Sequence, residues 1–150
     1  MYRRILVAID GSESSQRALE HALALAKDQQ ARLRIVNAVE FPHYLVMTTG
    51  YPVSVSDLMK SMREEGQRML SQAQARASLV GAKTEAAVLE SKTGAERTAD
   101  ILIEDAKQWD ADLIVLGTHG RRGLDRVLLG SVAEAVVRLA PLPVLLVRAK

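Results

Sequence analysis

Ile5–Ile9, Leu33–Val39 and Leu113–Leu116 are short runs, apolar through most of their length and rich in β-branched residues. A strand with one wet face alternates polar and apolar side chains at a period of two, and these runs do not. They read as strands buried on both faces, which happens where helices cover both sides of a parallel sheet. A fourth run, Val144–Val147, follows Pro143 at a strand start, where a missing N–H is tolerated. A fifth, Thr84–Leu89, is weaker because its alanines lower strand propensity.

The intervening segments supply the covering helices. Between Ser12 and Lys27, residues Ala18, Leu19, Ala22, Leu25 and Ala26 form one stripe behind Ser/Asp-type start signals. Between Ser56 and Ala77 the stripe is Leu58, Met62, Met69, Ala73 and Ala77, with the methionines read as packing. A third helix carries Ala95, Ala99, Leu102, Ala106 and Trp109, and is expected to open on the capping-box pattern Thr93-x-x-Glu96. The last opens on a second such pattern, Ser131-x-x-Glu134, and stops before Pro141. The order β-α-β-α-β-α-β-α-β implies an α/β fold, a mostly parallel sheet with right-handed crossovers and helices on both faces. With 150 residues and no internal repeat, one domain over 1–150 is expected. The long irregular connection Phe41–Ser56 has the length of a lid, a partner surface or a disordered insertion.

Charge and composition exclude several function classes. Lys and Arg number 20 against 18 Asp and Glu, and a net +2 is too small to argue for nucleic acid or an anionic membrane. The absence of cysteine rules out disulfides and thiolate metal sites and fits a reducing compartment. The first ten residues lack the long apolar region of a signal peptide, and no run approaches a membrane span. A cytoplasmic protein without membrane insertion is expected.

Parallel sheets bind ligands beyond the carboxyl ends of their strands, where strand order reverses. Strand one ends at Asp10-Gly11-Ser12 and strand four at Gly117-Thr118-His119-Gly120; as neighbours they would line one crevice. Residues 117–131 hold four of the nine glycines and three arginines. The final helix starts at Gly130-Ser131-Val132, where first-turn N–H groups and the helix dipole favour an anion. Gly130 has no side chain to block a phosphate, and Gly117, Gly120 and Gly123 let the loop turn its amides inward. Arg121 and Arg122 supply charge, and the set points to a triphosphate. The same residues also have plain structural readings. Ser131 caps its helix, Asp10 caps or shapes a turn, His119 is a loop residue, and Arg121, Arg122 and Arg126 form a solvated basic face. There is no Walker loop, dinucleotide fingerprint or nucleophile elbow. His21, His43 and His119 lack metal-ligand spacing, so neither a protein-ligated metal nor a catalytic residue is assigned.

Gly117-x-x-Gly120, nine residues, then Gly130-Ser131 resembles the G-2x-G-9x-G-[ST] motif of the universal stress protein family. "RILVAIDGSESS" resembles that family's first strand and turn, and the stretch from Thr93 to Val147 its C-terminal half, so the likeness covers essentially the whole chain. It implies an open five-stranded parallel sheet in the order 3-2-1-4-5, the adenine nucleotide alpha hydrolase-like architecture, with strands one and four adjacent. It further implies ATP (or ADP or AMP), with Mg or Mn held mainly by phosphates. By this likeness Asp10 lies near the nucleoside, the Ala38 backbone near the base and Gly117 on the ribose side. Gly120, Gly130, Ser131 and Val132 surround the phosphates, with supporting contacts from His119 and Arg121. The likeness also implies a homodimer through Val144–Val147, an apolar edge that would otherwise invite association. Asn37-Ala38 departs from the His-Val pair that often ends the family's second strand.

The leading functional reading is an ATP-binding stress-response module whose occupancy alters its stability or its surface for a regulatory protein partner. A slow ATPase or an ATP-dependent phosphoryl or adenylyl transferase is the second reading; it needs a positioned nucleophile, and the sequence displays no nucleophile–base pair. A nucleotide-independent scaffold is the third, and the intact glycine motif counts against it.

Overall fold

The computed structural model describes residues 1–41, 54–119 and 129–149. Along the chain lie β1 (Arg4–Ala8), α1 (Glu13–Gln29), β2 (Arg32–Val39), α2 (Val55–Leu79) and β3 (Thr84–Glu90). Then follow α3 (Thr98–Gln108), β4 (Leu113–Gly117), α4 (Ser131–Leu139) and β5 (Val144–Val147). The strands form one parallel sheet in the order β3-β2-β1-β4-β5. In the central strand, Ile5 stands opposite Leu33 on one side and Leu113 on the other.

The continuous apolar runs are explained by two cores, one on each face. Ile5, Val7, Leu33, Ile35 and Val115 pack under α1 and α2, while Leu6, Val36, Ile114 and Leu116 pack under α3 and α4. Because the side-chain period of a strand is two, neighbours in sequence enter different cores, and neither can be polar without cost. Leu6, Ile5 and Ile114 are fully inaccessible, each contributing about 2–3 kcal/mol of burial. In α1 the buried stripe is Ala18, Leu19, Ala22, Leu23 and Ala26, so Leu23 takes the deep position expected of Leu25. β3 is an edge strand and nowhere deeply buried, which is where its weak propensity is tolerated.

The third helix begins later than its capping-box pattern predicts. Gly94 has φ +77, outside the helical region, so no helix passes through it. Glu96 instead folds back on the turn before the helix, accepting from the Ser91 hydroxyl and from the N–H and hydroxyl of Thr93, both at 3.0 Å. These donors, the Ser91 hydroxyl first, hold the Glu96 carboxyl at about 2, below its ordinary 4.5. Ala95 is accordingly exposed and outside α3. Residues 42–53 of the Phe41–Ser56 connection lie outside the described residues, and α2 starts at Val55 behind Ser54, whose hydroxyl accepts the Asp57 N–H at 3.3 Å.

At the amino ends of the strands, charged groups satisfy one another. The Arg34 guanidinium meets Asp105 of α3 through two bonds, Nε at 2.7 Å and Nη2 at 2.8 Å. Glu85 lies 3.6 Å from Arg34 and accepts the Trp109 indole N–H at 3.3 Å. Arg4 stacks over the Trp109 ring, 4.3 Å from its centroid, and donates to the Trp109 carbonyl at 2.7 Å.

Candidate functional site

Each helix follows a strand, so all four helix starts gather at the carboxyl edge of the sheet. A helix start leaves N–H groups without intrahelical acceptors. In α1 the Ser12 hydroxyl oxygen accepts from Ser15 N–H at 3.2 Å. Ser54 does the same for α2, and for α3 the Glu40 carboxylate accepts Thr98 N–H at 2.8 Å. The cap position of α4 is Gly130, which has no side chain to offer. Ser131 is therefore not the cap that Ser131-x-x-Glu134 suggests. Gly130 is extended (φ −61, ψ 149) while Ser131 is already the first helical residue, and its side chain is exposed. The backbone bond from Glu134 N–H to Gly130 O, at 2.9 Å, closes the first turn.

The β1 turn and the β4 exit meet, as the crevice reading requires. Asp10 Oδ1 accepts from the Ser12 N–H at 2.9 Å and from its hydroxyl at 2.6 Å, and Gly11 turns the chain at φ +84. Asp10 thus shapes the turn into α1. The Ser12 hydroxyl also approaches the His119 carbonyl at 3.3 Å, and the buried Ser14 hydroxyl donates to the same oxygen. His119 Nδ1 lies 2.9 Å from Thr118 Oγ1. Thr118 is buried; its N–H bonds to the Val147 carbonyl at 2.9 Å and its carbonyl accepts from Gly130 N–H at 2.8 Å. That last bond brings the beginning of α4 back to the end of β4.

Gly117 has a packing reason that the sequence does not display. A Cβ there would lie 2.4 Å from Ser14 Oγ and 2.7 and 2.8 Å from the backbone of Ser14 and Ser15. It is needed for the close approach of α1's first turn to β4. Ala38 lies on β2 opposite Leu89, packed against the α3 and α4 core. Val132 is half-buried beside that core, with its N–H in the first turn of α4. Asp10, Gly117, His119, Gly130, Ser131 and Val132 thus belong to one edge, joined through Ser12, Ser14 and Thr118. Gly120, Arg121, Arg122, Gly123 and Arg126 lie outside the described residues. Among the described residues no cluster of three His, Asp or Glu is arranged to hold a metal ion, and no helix is long and apolar enough to cross a membrane.

Four residues here escape a motif reading: Glu40, Ser14, Asn37 and Gly66. Asn37 is buried, and its Nδ2 donates to the Ile9 carbonyl at 2.8 Å. Two of them carried a visible signal: Gly66, a glycine in the middle of a 25-residue helix, which usually has a packing reason, and Asn37, as a departure from the His-Val pair.

An open parallel sheet whose order reverses between β1 and β4, with four helix starts on that edge, defines a doubly wound α/β protein with its crevice at the switch point. The chain belongs to the universal stress protein family, whose family model matches residues 1–148. It is 36% identical over 149 residues to Universal stress protein MJ0531 of Methanocaldococcus jannaschii, covering 99% of this chain and 83% of the relative. A universal stress protein family structure from Burkholderia pseudomallei superimposes with a TM-score of 0.80 at 39% identity, covering 99% of this chain and 97% of that one. A universal stress protein in complex with cAMP matches with a TM-score of 0.71 at 30% identity, covering 99% of both chains.

Proposed function

We propose that this protein binds an adenine nucleotide, ATP in the first instance, between the β1 turn and the start of α4, and that occupancy regulates its stability or its surface for a protein partner. The observation that carries the reading is the contrast among helix starts: three are served by the chain's own side-chain oxygens, while α4 begins at a glycine. A phosphate suits such a helix start, because its oxygens meet several N–H groups and the positive end of the dipole together. The relative solved with cAMP supports the adenine class.

In this reading Gly130, Ser131 and Val132 receive the phosphates through main-chain donors, with Gly120, His119 and Arg121 assisting. Asp10 and the Ala38 backbone serve the nucleoside. Gly117 contributes by letting α1 close on β4. A Mg or Mn ion would be held mainly by the phosphates. The chain would act as one domain in the cytoplasm and pair across β5, which is an edge strand. No catalytic residue is assigned.

The test is mass spectrometry of ligand released on denaturation, with calorimetric titration of Mg·ATP into wild type and Gly130→Asp. An Asp at the cap answers first-turn N–H groups and repels phosphate. ATP affinity should fall more than about tenfold, while stability holds or rises by about 0.5 kcal/mol. Wild type with no retained nucleotide, no titration heat and no thermal shift would overturn the reading and favour the scaffold.

A further inference from the structure

Asn37 and Gly66 are each unfavourable in isolation. Asn37 is the only polar side chain buried within the described strands, and it sits on the α1 and α2 face among apolar neighbours. Gly66 interrupts α2 with the poorest helix former after proline. Their positions account for each other. A Cβ on Gly66 would lie 2.4 Å from Asn37 Oδ1 and 3.2 Å from Asn37 Cγ, so a side chain there would have to displace that amide. One turn earlier Arg63 pairs with Glu90 at the end of β3, holding this part of α2 against the sheet.

The other side of the amide faces β1. The regular β1–β2 register ends at Ala8 opposite Val36, and Ile9 N–H then bonds to the Val36 carbonyl at 2.8 Å. The Ile9 carbonyl receives Asn37 Nδ2 at 2.8 Å. The side chain thus carries the attachment of β1 to β2 onto the residue immediately before Asp10.

We propose that Asn37 is a positioning residue for the nucleoside end of the site: it sets the direction in which Asp10 leaves β1, and Gly66 is the helix position that admits it. This rests on the nucleotide-binding reading and deepens it. The start of α4, the phosphate end in this reading, is tied to β4 by the bond from Gly130 N–H to the Thr118 carbonyl, which does not involve this amide. Loss of the Asn37 donor therefore weakens nucleoside-dependent affinity and spares phosphate affinity. A residue that served only the fold would change both or neither.

The experiment titrates ATP and inorganic tripolyphosphate into wild type, Asn37→Asp, Gly66→Ala, Asn37→Ala and the Asn37→Ala/Gly66→Ala double variant. Asn37→Asp turns an oxygen toward the Ile9 carbonyl, and its ATP affinity should drop about tenfold with tripolyphosphate affinity unchanged. Gly66→Ala should lower Tm and ATP affinity in the wild-type background, because its methyl displaces the amide. In the Asn37→Ala background the same methyl fills vacated space, and Tm should rise. An unchanged ratio of ATP to tripolyphosphate affinity in Asn37→Asp, or a Gly66→Ala effect of the same sign in both backgrounds, overturns the inference. Wild type that binds neither ligand overturns the nucleotide reading itself, and this inference with it. Should Asn37→Asp fail to fold, the double variant replaces it, with the same loss of ATP affinity expected.

Discussion

At the amino ends of the strands this protein holds itself together with charged and aromatic side chains; where the β1 turn meets the β4 exit it relies on glycines, hydroxyls and main-chain groups alongside the Asp10 carboxylate. Arg34, Asp105, Glu85, Trp109 and Arg4 form a set in which each charge already has its partner. An incoming ligand there would have to displace a bidentate pair. Around the β1 turn and the β4 exit, by contrast, Ser12 and Ser14 converge on one carbonyl and Gly117 yields its space to α1. There the first turn of α4 opens on a glycine. The first arrangement spends its charged groups on the fold, whereas the second brings a helix start without a side-chain cap beside the β1 turn.

Variants at the two ends should therefore behave differently. The largest expected effect is at the amino end. Among the described residues, Asp105→Ala leaves the Arg34 guanidinium, 17% exposed, with only Glu85 at 3.6 Å. Stability in urea titration should fall by about 3 kcal/mol, with nucleotide affinity of the folded protein unchanged. A loss below about 1 kcal/mol would mean that solvent screens this pair like a surface ion pair and would break the contrast.

Gly117→Ala is the corresponding variant at the carboxyl end, and it should affect both properties. Its Cβ would press on the Ser14 and Ser15 backbone, which cannot rotate away as a side chain can. A cost of about 2 kcal/mol is expected, accompanied by weaker ATP binding, because the α1 turn that moves also carries Asp10 and Ser12. Stability lost with ATP affinity retained would separate this packing from the site.

The smallest effect concerns acid. Glu96 is held at about 2 when folded, against an ordinary 4.5. A folded value below the unfolded one means that its contribution is fully present above pH 4.5 and disappears as pH falls through about 2. Glu96→Gln should flatten the fall in Tm between those limits and leave the rest of the acid profile alone. The carboxylate is exposed, so the change is small. A Tm profile identical to wild type would show that the turn is held without the carboxylate.

The strands were legible because burial on both faces leaves a continuous apolar signature that no other sheet environment imposes. Leu6 and Val7 enter different cores, yet both had to be apolar, and that requirement is local and visible. The glycine motif was legible for a similar reason, as its spacing survives in sequence. Capping patterns were less reliable. Thr93-x-x-Glu96 and Ser131-x-x-Glu134 have equivalent spacing, yet the first closes a turn ahead of its helix and the second begins one residue too late to cap. In each case a neighbouring glycine, Gly94 or Gly130, decided where the helix began.

The sequence by itself determined the class of fold, because alternating two-sided strands and amphipathic helices can bury their apolar surface in few other ways. It also marked the stretch from Gly117 to Ser131 as suited to an anion. Only the tertiary structure decided why Gly117 is glycine, how Asn37 and Gly66 account for each other, and that Glu40 serves the start of α3 across 58 residues of chain. Those contacts join residues far apart in sequence through distances of a few ångströms, and no local pattern of residue types encodes such a distance.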